Sequence, residues 1–172
     1  MTKAKNDFEY LMRLEEKLEE IQDVDVLLER ILTETRKIVN ADAGSIYVAD
    51  GKNLKIKYAQ NDTQLKELPP GEKLPYLFFS FPISESSIAG YAAYTKKPLI
   101  IDDAYTLEDD LPYKFNKQTD ITTGYRTRSI FTIPLLMNSG TLLGVLQIIN
   151  KLDESGKVVA FDKNDETYIR HF

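Results

Sequence analysis

An α+β fold is predicted for this chain of 172 residues, with a central antiparallel sheet, helices packed on one face and loops over the other. Three observations point to it. Apolar residues at helical spacing are concentrated before Asn40 and afterwards recur only in short stretches. Segments that alternate with period two come in pairs joined by turn residues, as hairpins require. A polar run from Asp102 to Arg128 is too long for an ordinary connection and marks a functional excursion, a disordered stretch or a set of short helices.

Leu11, Leu14, Leu18 and Ile21 alternate spacings of three and four between Glu15, Glu16, Lys17, Glu19 and Glu20, an a/d seam with charged flanks. Such a helix either packs on its own sheet or joins two protomers, and the seam is too short to decide between them. After a break at Asp23-Val24-Asp25, Asp25 is expected to cap a second helix carrying Leu28, Ile31, Leu32, Thr35 and Ile38 as far as Asn40. From Ala43, Ile46 and Val48 alternate with Ser45, Tyr47 and Ala49 up to Asp50-Gly51, and Leu54, Ile56 and Tyr58 answer them, which reads as a hairpin.

Pro69-Pro70-Gly71 and Pro75 leave Gln60 to Pro82 as loop, with a short edge strand near Leu77 to Phe81. Ser86 or Ser87 opens a short helix through Ile88, Ala89, Ala92 and Ala93, stopped by Lys96-Lys97-Pro98 before a strand at Leu99 to Ile101. Ser129 to Leu136 and Leu142 to Asn150 form the last hairpin across Met137-Asn138-Ser139-Gly140. Phe161 then precedes a closing helix that starts near Asp162 and is cut off at Phe172.

A net charge of -5 disfavours a general nucleic-acid partner, whose affinity would come from Lys and Arg neutralising phosphates. No apolar run reaches the length of a membrane span, and no signal-peptide core follows the charged start, so the segment is read as cytoplasmic with no membrane partner. The absence of cysteine removes disulfides, thiolate metal sites and a cysteine nucleophile. Walker, dinucleotide and zinc-helix motifs are missing, and the sole histidine, His171, is expected to face solvent. Asp102-Asp103 and Asp109-Asp110 are best explained as solvated loop acids, so no metal site is assigned.

Five blocks stand in order: Ala41-Asp42-Ala43-Gly44-Ser45-Ile46-Tyr47, Ser87-Ile88-Ala89-Gly90-Tyr91, Asp102-Asp103-Ala104-Tyr105, Gly124 to Ser129, and Gly144 to Lys151. They end in Asn150-Lys151, a spacer, then Phe161, Asp165 and Glu166. This arrangement resembles the GAF domains of cyclic nucleotide phosphodiesterases and of bacterial signalling proteins, over residues 23 to 172, with residues 1 to 22 as a linker helix. The resemblance implies a sheet of five or six strands and a ligand pocket under loops and short helices. It also implies a non-catalytic sensor that requires no cofactor, binds a small molecule with cyclic AMP or cyclic GMP leading, and forms a homodimer through the first helix. An output domain such as a phosphodiesterase, cyclase or kinase would follow. A domain used only for dimerisation, or one sensing another metabolite, is the alternative.

The ligand-lining positions implied by the resemblance are Ser45, Ile88, Ala89, Asp120, Thr123, Thr127 and Gln147, beneath a lid of residues 103 to 126. Related domains place an aromatic residue in the lid to stack on the base, where this chain has Asn116 with Phe115 beside it. Chemically, the opening of the helix at Ser87 offers free amides and a positive dipole end to a phosphate. Gln147 is an amide within an apolar strand and needs a buried partner. Asn150, Lys151, Phe161, Asp165 and Glu166 read as a structural lock in which Lys151 pairs with Asp165 to pin the closing helix. Arg126 and Arg128 share one face of an extended segment and are expected to pair with Asp102, Asp103 or Asp120.

Overall fold

The computed structural model describes residues 23–69, 72, 74 and 79–169; the Leu11 to Ile21 seam and His171 lie outside these. Helix α1 (Val24–Ile38) opens on Asp23, whose extended backbone lets its carboxylate accept from the amides of Asp25 at 2.8 Å and Val26 at 3.4 Å. The cap is therefore Asp23 rather than Asp25, which instead pairs with Lys57 at 3.0 Å. A left-handed Asn40 turns the chain into β1 (Ala41–Asp50), which returns through Gly51 as β2 (Asn53–Asn61).

The stretch read as loop begins with a helix, α2 (Asp62–Glu67), capped by Asn61, whose side chain accepts from the Gln64 amide at 2.9 Å. Then follow β3 (Ser80–Pro82), α3 (Ile88–Thr95), β4 (Leu99–Ile101), α4 (Gln118–Thr123), β5 (Ile130–Leu136), β6 (Leu142–Leu152), β7 (Val158–Val159) and α5 (Lys163–Ile169). Among the described residues all strand pairs are antiparallel, in a path of six strands, β3-β2-β1-β6-β5-β4, as expected, with the two-residue β7 added on the end of β6. The expected edge strand falls at Ser80–Pro82; Leu77 and Phe78 lie outside the described residues.

Alternation along β1 and β6 separates two apolar faces. Ile46, Leu146 and Ile148 join Leu32, Phe131, Phe161 and Ile169 beneath α1 and α5. On the opposite face, Ala89 and Ala93 of α3 pack on Leu54 and Val145, while Ile88 packs with Ile101, Ala104 and Ile130. The small residues set the approach: a Cβ on Gly90 would stand 2.7 Å from the Pro82 carbonyl oxygen and one on Gly144 2.1 Å from that of Tyr47. Helix α3 thus covers part of its face and leaves the rest to the polar excursion.

The Lys151 ammonium lies 2.6 Å from Asp165 and 3.1 Å from Asp162. Asp162 and Asp165 also cap α5 reciprocally, each accepting the other's amide, at 3.1 and 2.7 Å. Burial pushes the Lys151 pKa down, but hydrogen bonds and charge from Asp165 and Asp162 outweigh it and raise it above 10.5. Burial likewise opposes ionisation of Asp162, yet the Asp165 amide and Lys151 hold it below 3.8. The raised Lys151 stabilises fully below 10.5 and loses that contribution as pH rises through its folded value. The depressed Asp162 stabilises above 3.8 and loses its contribution as pH falls through its folded value. Lys151→Met is expected to cost about 2 kcal/mol between these limits, with Lys151 only partly buried. Denaturant unfolding of both proteins across pH would show the gap narrowing at each extreme.

Candidate functional site

A cavity of about 420 Å³ lies on the α3 face, floored by β1 and β6, walled by β2, β3 and the first turn of α3, and roofed by the 114–127 segment. Eight of the nine expected ligand positions line it: Ser45, Ile88, Ala89, Phe115, Asn116, Asp120, Thr127 and Gln147. Thr123 does not; its hydroxyl turns back on its own helix, donating to the Thr119 carbonyl at 2.8 Å, and its carbonyl accepts from Gln64 at 3.2 Å.

The floor is polar along a single row. Ser45, Gln147 and Thr132 are register partners across β1, β6 and β5. The partner that the buried Gln147 amide requires is Thr132, whose hydroxyl accepts from Nε2 at 3.0 Å. Oε1 of Gln147 and the hydroxyl of Ser45, which is only 9% exposed, have no protein partner among the described residues. At the wall, Ser87 caps α3 by accepting from the Gly90 amide at 3.1 Å, and its carbonyl accepts from Tyr91 at 2.8 Å. Ile88 and Ala89 precede the residues whose amides reach a carbonyl one turn back, so theirs have no acceptor within the helix.

Asp120 lines the cavity and is also the acceptor on which the lid's donors converge. Its carboxylate, 7% exposed, accepts from the Thr127 amide at 2.7 Å, the Thr127 hydroxyl at 2.8 Å and the Tyr105 phenol at 3.0 Å. Burial, then the hydrogen bond to Asp120, raise the Tyr105 pKa. The Arg126 guanidinium lies over the Tyr105 ring at 4.1 Å, not against an aspartate, while Arg128 reaches Asp103 at 3.4 Å. The lid thus closes on its own hydrogen bonds, with Asp120 at their centre.

Asn116 accepts from the Gln118 amide at 2.9 Å and so organises the start of α4. Phe115 supplies the lid aromatic, its ring centroid 5.4 Å from that of Tyr105. Tyr113 packs against Tyr91 of α3 at 5.0 Å, and burial raises its pKa. Asn150 holds the far end of the lid: Nδ2 donates to the Arg126 carbonyl at 2.8 Å and the Tyr125 hydroxyl at 2.9 Å, while Oδ1 accepts from the Arg128 amide at 2.7 Å. Sequence reasoning missed Gln60, Asn61, Lys114, Thr119 and Tyr125 on the walls. For Tyr125 a signal was present, as an aromatic residue directly after Gly124 in one of the five blocks.

A larger groove, about 740 Å³, runs between α1 and β2 on the opposite face. Across it Arg36 pairs with Asp62 at 2.8 Å. The smaller cavity is the stronger candidate because it gathers eight of the nine expected ligand positions beneath the lid.

The GAF domain family model matches residues 23–172. The cGMP-specific 3',5'-cyclic phosphodiesterases of Drosophila virilis and Drosophila melanogaster are each 32% identical over 156 residues, 87% of this chain. The chain covers only 16% and 13% of their lengths. Among solved structures, the GAF domain of an Acinetobacter phosphoenolpyruvate-protein phosphotransferase superposes with a TM-score of 0.69 at 14% identity, over 99% of this chain and 88% of that one. The free methionine-R-sulfoxide reductase of Neisseria meningitidis gives 0.66 at 17%, over 98% and 84%. The family match, spanning both the sheet and the excursion that roofs the cavity, shows that this chain belongs to the GAF domain family.

Proposed function

We propose that the domain is a non-catalytic sensor whose cavity holds a small anionic ligand, with a cyclic nucleotide, cyclic GMP first, as the candidate. The observation that carries this reading is the pairing, in one cavity, of open amides at the start of α3 with unpartnered oxygens of Ser45 and Gln147 on the floor. A phosphate suits the helix end, and hydroxyl or amine donors suit the floor. Phe115 offers the stacking surface that Asn116 lacks. This reconciles an anionic ligand with an acidic domain, because helix amides rather than many cationic side chains receive the charge. The phosphodiesterase relatives name cyclic GMP, which orders the candidates.

Ligand binding closes the lid and biases the flanking helices of a homodimer, in which the Leu11 to Ile21 seam joins the protomers and the helix after Asp165 leads toward an output domain. At 100 times its dissociation constant, cyclic GMP is expected to stabilise the domain by about 2.7 kcal/mol in a thermal-shift titration. No shift with cyclic GMP or cyclic AMP removes the nucleotide reading. Gln147→Ala and Ser45→Ala are each expected to weaken binding roughly tenfold with the fold unchanged; unaltered affinity in both would place the ligand elsewhere. A monomer by light scattering would count against the dimer.

A further inference from the structure

We infer that α2 is a mechanical connector between the lid and α1, with Tyr125 as the positioning residue that couples them. The inference rests on the sensor reading only for what moves the lid. Tyr125 occupies the cavity wall, yet its hydroxyl leaves the site, donating to Asp42 Oδ2 at 2.8 Å. The other carboxylate oxygen of Asp42 accepts from Thr63, in the first turn of α2, at 2.9 Å. The backbone carbonyl of Asp42 accepts from Arg36 of α1 at 2.6 Å, and the same guanidinium reaches Asp62 of α2 at 2.8 Å. A second link closes the ring, as Gln64 of α2 donates to the Thr123 carbonyl at the end of α4.

Two features make this ring a coupling device. Its central groups are desolvated: Asp42 and Arg36 are each 7% exposed, and Arg36 Nε has no acceptor among the described residues. Loss of the Tyr125 donor leaves a buried carboxylate oxygen short of a partner, a cost that relaxation of α2 relieves. The ring also bridges the faces of the sheet, joining the lid on the α3 side to a helix on the other. Lid displacement that withdraws Tyr125 therefore loosens Asp42, Thr63 and Arg36 together.

Amide hydrogen exchange of the whole chain tests this without ligand. Tyr125→Phe is expected to raise exchange about fivefold in the lid (118–127), in α2 and in the last turn of α1, leaving 145–149 of β6 unchanged. Thr63→Val, which removes the α2 donor to Asp42 and leaves the lid's own residues unchanged, is expected to raise exchange in the lid as well, since coupling is reciprocal. Faster exchange confined to the mutated segment in either variant overturns the inference, as does a uniform rise that includes β6. With cyclic GMP added, wild type is expected to slow both regions and Tyr125→Phe to slow the lid alone. If wild type ignores cyclic GMP, the ligand reading fails, while the ligand-free comparison still decides the connector.

Discussion

Asn150→Ala is expected to destabilise the domain by about 4 kcal/mol in denaturant unfolding, through two additive losses. Asn150 sits at φ 57 and is 3% exposed. A left-handed backbone costs about 1 kcal/mol more for alanine than for asparagine, whose side chain tolerates that region. The remaining loss comes from the three hydrogen bonds that tie Tyr125, Arg126 and Arg128 to the end of β6, two of them to backbone groups with no easy substitute. Asn150→Gly separates the two causes: it relieves the backbone strain, loses the same hydrogen bonds and is expected to recover about 1 kcal/mol. If alanine and glycine are equally costly, the side chain alone explains the residue. If alanine costs under 1 kcal/mol, Asn150 does not hold the lid.

The sheet was legible because its strands alternate cleanly and its turns carry Asp50-Gly51 and Asn138-Ser139-Gly140; register then follows from which face is apolar. Helix α2 was not legible. Its six residues include a single large apolar side chain, Leu65, which is half-exposed, so no periodic stripe announces them. Its one signal was Asn61 as a cap, three residues before Gln64, outweighed by the prolines that follow. The two-residue β7 is set by pairing with Lys151 and Leu152, a long-range effect with no local pattern. The cap of α1 was misplaced by two positions because Asp23 and Asp25 are both competent, and tertiary contact with Lys57 decides between them.

The cavity wall was readable where residues came from strands or a capped helix, since alternation and helix geometry fix their direction. It was less so in the 103–126 excursion, where facing depends on the folding of the lid on itself. Thr123 and Thr127 are both threonines near Gly124, yet one turns into its helix and the other into the cavity. Gly124, left-handed at φ 67, ends α4 and separates them.

Asp120→Ala tests whether that carboxylate serves the ligand directly or through the lid, and opening of the lid is the expected result. Three donors converge on Asp120, two of them from Thr127. Hydrogen bonds to a charged group contribute about 1.5 to 3 kcal/mol each, so their joint loss, even with water entering, reaches about 4 kcal/mol. That exceeds what a polar surface segment commonly needs to open, so the lid detaches before the full cost is expressed. Global unfolding should therefore fall by about 2 kcal/mol while hydrogen exchange in 118–127 approaches the unprotected rate. Asp120→Asn discriminates further. An asparagine keeps one acceptor oxygen for Thr127 and is expected to retain most of the lid's protection, whereas a charge contact to ligand would be lost in both variants alike. Equal loss of cyclic GMP affinity in the two, with the lid protected in the asparagine variant, would place Asp120 against the ligand; protection and affinity recovering together would assign it to the lid.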